Sequence, residues 1–324
     1  LPWSVDENLD TIDSYDFNGK LNGPMTAHPR ICPETGELLF FGYQMMKKPY
    51  LTYHRVSKEG ELVQSEEIDI PRPVMMHDWN ITRNYVIFMD LPLVFDIDEA
   101  VNGSDPFGFK PECGARLGVM PRNGSNSDIK WIEINPCFVF HPMNAYEEGD
   151  SIILHVCRQN KAMVGGMDEI YGGEDTTGKL WKWTINLTSG SCLEEQIDDR
   201  PCDFARVDDR LVGLKAKNGY AMALNEKADS LTFDQYLYKF DLENNKRLDH
   251  DLGENVFGGE PIFVPKNKDL SEDKGWIMAI VYDANIDKSK LIIVDTENFD
   301  KKPIGEVILP QRVPFGAHGS WLSN

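Results

Sequence analysis

The chain has 324 residues, and 41% of them are hydrophobic. This is enough for a buried core in one large domain or two ordinary ones. The 33 Lys and Arg residues against 53 Asp and Glu residues give a net charge of −20, so the surface repels phosphate backbones and we exclude nucleic acid as a partner. No apolar run approaches the roughly 18 to 20 residues of a membrane-spanning helix, so any membrane contact would be peripheral.

Six cysteines are scattered along the chain, and none forms a C-x-x-C pair. Neither a zinc ribbon nor a thioredoxin-type redox site is therefore indicated. The pattern is typical of reduced, partly buried cysteines, and we expect an intracellular, cytoplasmic protein. The sequence begins at Leu1 without an initiator methionine, so N-terminal targeting is not visible in it.

Short β-rich runs bounded by turn residues dominate the chain and predict an all-β sandwich, barrel or propeller. Residues 180–187 and 237–242 resemble each other, as expected for degenerate four-stranded propeller blades. The only helical pattern is a weak one over residues 231–238. No Pro/Gly/Ser linker divides the chain, which favours a single domain over residues 1–324. The predicted strands are 37–43, 85–88, 151–156, 180–185, 219–224, 275–282 and 290–294.

Four of the seven histidines stand among small, apolar or proline residues: His28, His77, His141 and His318. Separations of 49, 64 and 177 residues fit no local metal motif. They do fit ligands that separate propeller blades deliver to a common axis. Imidazole suits iron, zinc, copper and nickel, so the residues alone leave the metal open. Taken singly, each histidine is more often an ordinary core residue than a ligand.

Five ordered motifs resemble the carotenoid cleavage oxygenase family, which includes carotenoid, apocarotenoid and stilbene dioxygenases. The resemblance covers nearly the whole chain. The motifs are Thr-Ala-His-Pro-Arg with Pro-Glu-Thr-Gly-Glu-Leu-Leu-Phe-Phe-Gly-Tyr (26–43), Met-His-Asp-Trp-Asn-Ile-Thr (76–82), Phe-Val-Phe-His-Pro-Met-Asn-Ala-Tyr (138–146), Gly-Gly-Glu-Pro-Ile-Phe-Val-Pro (258–265) and Pro-Phe-Gly-Ala-His-Gly (314–319).

The resemblance implies a seven-bladed β-propeller with Fe(II) on its axis and a hydrophobic substrate tunnel. His28, His77, His141 and His318 match the family's four iron ligands. Glu260 matches a glutamate that accepts the outer N–H of a ligand histidine and so fixes its tautomer. Met75, Phe140 and Phe204 adjoin the motifs and are candidates for the tunnel lining, although core packing is an equally good interpretation of each.

Three features depart from the family pattern. Asp203 stands where a second histidine-holding glutamate is usual, so we expect a water bridge or a shifted backbone to make up the missing methylene. Ala317 stands where a large aromatic residue is usual, which would widen the pocket. Family members are also longer at the N-terminus, so we expect this sequence to lack one or more N-terminal blades and a further glutamate.

The implied activity is an oxygenase reaction in which dioxygen splits a C=C bond of a carotenoid or apocarotenoid into two carbonyl products, typically aldehydes. The alternative is the same dioxygenase reaction on the double bond of a stilbene or lignostilbene. Two readings from other classes are open: an isomerohydrolase acting on a retinyl-type ester, and a non-catalytic propeller scaffold. Products separate the first from an oxygenase, and metal content separates the second.

Overall fold

The computed structural model of the chain describes residues 1–162, 176–225, 233–266, 274–315 and 318–322. The chain divides into two compact units, Leu1–Pro136 and Cys137–Asn324. Each unit has its own sheets and buried residues, and each is described by itself below. The single domain expected over residues 1–324 stays a prediction.

The N-terminal unit is built from short strands, with one helix (α1, Ile97–Asn102) and 3-10 turns at Pro111–Cys113 and Asn126–Asp128. Asp96 caps α1 at its start, and Gly103 ends it in the left-handed conformation. The strands are β1 (Trp3–Val5), β2 (Thr11–Ser14), β3 (Arg30–Ile31), β4 (Leu38–Tyr43), β5 (Leu51–Val56), β6 (Leu62–Ile68), β7 (Asn80–Ile81), β8 (Tyr85–Asp90), β9 (Leu93–Phe95), β10 (Phe107–Phe109), β11 (Ala115–Pro121) and β12 (Lys130–Ile134).

Two four-stranded antiparallel sheets carry this unit, in the orders β3-β4-β5-β6 and β12-β11-β8-β7. Each is a meander of the kind that forms a propeller blade. The pairs β1-β2 and β9-β10 form separate two-stranded sheets. Between the larger sheets, Trp79 stacks on Phe88 at 5.9 Å and meets Phe41 and Tyr53 edge-on. This fully buried aromatic cluster fixes the chain directly after His77.

The C-terminal unit consists of longer strands, with 3-10 turns at Asp209–Leu211 and Thr296–Asn298. Its strands are β13 (Phe138–Glu148), β14 (Ser151–Gln159), β15 (Lys179–Asn186), β16 (Ser191–Arg206), β17 (Asn218–Leu224), β18 (Phe233–Asp241), β19 (Lys246–Asp251), β20 (Val256–Phe257), β21 (Ile262–Pro265), β22 (Gly275–Asp283), β23 (Lys288–Asp295) and β24 (Gly305–Ile308).

The strands β13 to β19 hydrogen-bond in sequence order, and β16 belongs to two successive meanders. Residues 191–196 and 201 of β16 pair with β15, whereas residues 202, 203 and 206 pair with β17. A second sheet follows the order β20-β22-β23-β24, with β21 also on β22. Alternation sets its faces: Ile277, Ala279 and Val281 are buried on one side of β22, and the residues between them line the other.

The predicted strands are confirmed to within two or three residues at each end, because each is a local alternating or apolar run between turn residues. The helix predicted over residues 231–238 is wrong. Residues 233–238 belong to strand β18, and residues 231 and 232 lie outside the described part of the chain. Pairing on both sides, with β17 and β19, outweighs the weak helical pattern.

All six cysteines are free thiols, and four of them are buried, as the sequence predicts. Within the described ranges, no helix has the length and apolar character needed to cross a bilayer.

Candidate metal centre

In the N-terminal unit, His28 and His77 bring their imidazole rings together. Their Nε2 atoms lie 3.1 Å apart, and the ring centroids are separated by 4.7 Å. His28 is buried just before β3, and the indole N–H of Trp79 donates to its carbonyl oxygen over 2.9 Å. The aromatic cluster around Trp79 therefore holds both histidine-bearing segments in place.

A buried carboxylate supports this pair. Asp78 places Oδ2 3.4 Å from His28 Nδ1, while its other oxygen accepts hydrogen bonds from Arg30 and from the Trp79 backbone N–H, each over 2.7 Å. Sequence reasoning missed Asp78. Its only signal was an acidic residue between His77 and Trp79 in an otherwise apolar motif, since a carboxylate there needs a buried partner.

In the C-terminal unit, Asp203 holds His141 directly. His141 lies within β13, and its Nδ1–H donates to Asp203 Oδ1 over 3.0 Å. Both side chains are buried. The contact is direct, so the water bridge considered for the shorter carboxylate is unnecessary, and the shifted backbone stays a prediction. Phe204 lies next to this pair, with its ring 4.6 Å from that of His141.

Glu260 holds the second histidine of this unit. His318 Nδ1 lies 3.2 Å from Glu260 Oε1, and the Gly319 backbone N–H donates to Oε2 over 2.7 Å. Arg206 donates to Oε1 over 3.1 Å. Burial raises the pKa of Glu260, but its contacts with His318, Arg206 and Gly319 outweigh this and keep that pKa below its ordinary value. Arg206 is a second residue that sequence reasoning missed.

The packing of the backbone requires glycine at position 259, directly before Glu260. A Cβ atom at Gly259 would lie 2.2 Å from the carbonyl oxygen of Ile280, which is backbone and cannot turn aside. Only glycine lets the segment before β21 approach β22 this closely. This approach sets the position from which the Glu260 side chain reaches His318.

His141 and His318 approach each other within the same unit. Their ring centroids lie 4.8 Å apart, and one nitrogen of each ring falls within 4.8 Å of the other. In both rings Nδ1 faces a carboxylate, which leaves Nε2 to bind a ligand. Each unit thus contains a pair of neighbouring imidazoles, and the assignment of all four as ligands of one metal stays a prediction.

The other three histidines have different surroundings. His54 Nδ1 lies 2.9 Å from the Ser65 hydroxyl, and burial lowers its pKa to about 4. His155 is buried within β14, and His250 donates to the Phe299 carbonyl oxygen. These surroundings suit ordinary structural roles for all three histidines.

An apolar cavity of about 390 Å³ adjoins His318 and Glu260 in the C-terminal unit. Five of its apolar lining residues are Phe233, Ile262, Met278, Leu291 and Phe315.

The residues suggested for a tunnel lie elsewhere. Phe140 packs on Phe138 at 4.8 Å, and Phe204 packs between histidine rings; neither is among the residues that line this cavity. Met75 lies half-buried in the N-terminal unit, where its N–H donates to Leu93. Their role in a tunnel therefore stays a prediction. Ala317, expected to widen the pocket, lies outside the described residues.

Comparison with known proteins gives concordant results. The profile of the family described as "Retinal pigment epithelial membrane protein" (RPE65) matches residues 1–323. The carotenoid 9,10(9',10')-cleavage dioxygenase of Crocus sativus is 34% identical over 340 aligned residues, covering 98% of this chain. This chain spans 61% of the length of that relative.

Two solved structures are similar over the whole of this chain. The lignostilbene dioxygenase of Pseudomonas brassicacearum superposes with a TM-score of 0.89 at 27% identity, and this chain covers 72% of it. Cobalt-substituted apocarotenoid oxygenase of Synechocystis superposes with a TM-score of 0.87 at 27% identity, and 70% of it is covered. The all-β prediction is confirmed, and the fold is the β-propeller of the carotenoid oxygenase type. With nearly every residue matched by the family profile, the chain belongs to the RPE65 family of carotenoid cleavage oxygenases.

Proposed function

We propose that this chain is an Fe(II)-dependent dioxygenase that uses dioxygen to cleave a C=C bond of a carotenoid or apocarotenoid into two carbonyl products, typically aldehydes. Its metal ligands would be His28, His77, His141 and His318. The observation that carries the proposal is that carboxylates hold the Nδ1 side of His28, His141 and His318. Imidazoles held in this way are typical of metal centres.

The spacing of His28 and His77 supports the fit of a metal ion. Two nitrogens each bound at about 2.1 Å to one ion, with about 90° between the bonds, lie about 3 Å apart. The observed separation of their Nε2 atoms is 3.1 Å. Two lone pairs facing each other at this distance repel without a cation or proton between them. The donor set therefore suits a divalent ion.

The carboxylates give each ring a defined task. Asp203 accepts the Nδ1–H of His141, and Glu260 accepts that of His318. Each contact fixes the neutral tautomer with Nε2 as the lone-pair donor and restrains rotation of the ring. Because Arg206 also binds Glu260, this carboxylate remains ionised and available to His318. Fe(II) bound by the four imidazoles would supply the binding and activation of dioxygen.

The cavity beside His318 supports an apolar substrate. Its aliphatic and aromatic walls bury a hydrocarbon chain, exclude water and orient the double bond. The curated relative described above is named for cleavage of carotenoids, which favours a polyene. A stilbene is the second candidate, because the lignostilbene dioxygenase is equally similar in structure. Any contact of the protein with a membrane would be peripheral, and the membrane would be the source of the substrate.

The first experiment measures iron by elemental analysis after anaerobic loading with Fe(II), with His141→Ala as the test variant and His250→Ala as a matched buried control. We expect near-stoichiometric iron in the wild type and the control, and a large loss in His141→Ala. Incubation with an apocarotenal and with a stilbene then identifies the substrate by its aldehyde products. An intact isomerised alcohol would indicate an isomerohydrolase. A folded wild type that binds no iron would refute the proposal and indicate a scaffold.

A further inference from the structure

We propose that Phe204 is a positioning residue: its left-handed backbone and its ring placement let the short carboxylate of Asp203 reach His141. The inference rests on the proposed function, because it concerns the support of a proposed metal ligand. Asp203 is one methylene shorter than the glutamate that the family resemblance leads us to expect, so its contact with His141 needs an explanation.

The backbone around Phe204 is irregular. Asp203 pairs with Met222 and Arg206 pairs with Tyr220, so two residues of β16 face one residue of β17. This is a β-bulge, a device that bends a strand and re-aims its side chains near functional sites. Phe204 lies in the bulge with φ of +54°, a conformation that bulky L-residues rarely adopt.

One oxygen of the Asp203 carboxylate accepts two hydrogen bonds. The Phe204 N–H donates to Asp203 Oδ1 over 2.8 Å, and the same oxygen accepts from His141 over 3.0 Å. The backbone bond fixes the rotation of the aspartate side chain, and this orientation presents its oxygen to the imidazole.

Packing of the ring stabilises the strained backbone. The Phe204 ring lies 4.6 Å from that of His141, 5.6 Å from that of His318 and 5.9 Å from that of Phe233. Only 8% of the residue is exposed. Contacts on three sides hold the ring in place. Packing of this kind is what maintains a residue in an unfavourable φ. Removal of the ring therefore allows the backbone to relax and withdraws Asp203 from His141.

Substitutions at Asp203 and Phe204 should therefore be coupled in their effect on metal affinity. In the wild type, Asp203→Glu adds a methylene to a site built for aspartate, and we expect Co(II) to bind about ten-fold more weakly. Phe204→Ala should weaken binding by a similar factor of about ten, because the backbone relaxes. In the double variant the longer side chain regains the lost reach, so Co(II) should bind no more weakly than to Phe204→Ala alone.

The control is Phe240→Ala, which removes a buried aromatic ring that packs on Tyr238 in the same unit. Its effect on Co(II) affinity should combine multiplicatively with that of Asp203→Glu, as expected for sites that do not share the carboxylate. Thermal unfolding of the metal-free variants shows how much each ring contributes to stability alone. A merely structural role for Phe204 would lower the melting temperature in the same way as Phe240→Ala, without coupling to residue 203.

The measurements are Co(II) titrations followed by absorption, together with NMR of selectively ¹⁵N-histidine-labelled, metal-free protein. The hydrogen-bonded Nδ1–H of His141 should be visible in the wild type, weakened in Phe204→Ala and restored in the double variant. Multiplicative effects of Asp203→Glu and Phe204→Ala in a protein that binds Co(II) would overturn this inference alone. A wild type that binds no Co(II) would overturn both the inference and the proposed function.

Discussion

His155 is a buried histidine outside the proposed metal site, and it makes the stability of the protein sensitive to acid. It lies in β14 with 1% of its surface exposed. Neither ring nitrogen has a hydrogen-bond partner among the described residues. Burial, with a smaller contribution from the charge of Lys182, lowers the pKa of His155 to about 4.

The sign and size of the effect follow from linkage. An unfolded chain protonates His155 at its ordinary pKa of 6.5, whereas the folded protein resists protonation until about pH 4. Between these values the unfolded state binds more protons, so stability falls as the pH falls. Each tenfold difference in proton binding corresponds to about 1.4 kcal/mol, so His155 alone removes about 2 kcal/mol between pH 7 and pH 5.

The test is urea denaturation of the wild type and of His155→Phe at pH 7 and pH 5, followed by tryptophan fluorescence. Phenylalanine has a similar shape and no group to protonate, so the variant should lose about 2 kcal/mol less stability on acidification. His250→Phe is the contrasting variant, because it leaves the Phe299 carbonyl without its N–H donor and should cost about 1–3 kcal/mol already at pH 7. An equal loss between pH 7 and pH 5 in His155→Phe and the wild type would refute the reasoning.

Two further predictions concern the support of His318. Glu260→Gln should weaken Fe(II) binding about ten- to a hundred-fold in a metal titration, while Glu306→Gln at an exposed edge should leave it unchanged; equal affinity of both variants would contradict the role of Glu260. Gly259→Ala should destabilise the protein by about 1–3 kcal/mol in urea and also weaken metal binding, because its Cβ meets the Ile280 backbone. Gly305→Ala is its control, because the added Cβ would lie 3.5 Å from the Ile293 side chain, an ordinary van der Waals distance. This variant should unfold like the wild type.

The strands could be predicted because their signals are local. Residues 275–282 alternate between two apolar faces, and residues 151–156 are apolar almost throughout. Each run by itself therefore predicts a strand. The segment around residues 233–238 was mistaken for a helix because its local pattern is weak. Its conformation is decided by hydrogen bonds to β17 and β19, which are partners that no short window of sequence contains.

The proposed site shows the same difference between local signals, which the sequence reveals, and distant contacts, which it does not. The histidine motifs have a recognisable local sequence, and the structure brings His28 to His77 and His141 to His318. Their supports are less visible, because Arg206 reaches Glu260 across 54 residues of sequence. Asp78 was overlooked for the opposite reason: it adjoins His77 in the chain but supports His28, which lies 50 residues earlier.

Asp203 shows most clearly why a motif is an incomplete description of a site. By sequence alone, an aspartate in place of a glutamate is one methylene short, and a water bridge or a shifted backbone was expected to make up the difference. The structure has a direct contact of 3.0 Å to His141, next to a bulge in which Phe204 has a left-handed conformation. We infer that side-chain length and backbone path compensate each other. A substitution at residue 203 can therefore be judged only together with the backbone at residue 204, which is why we expect glutamate to weaken the wild-type site and to repair the relaxed one.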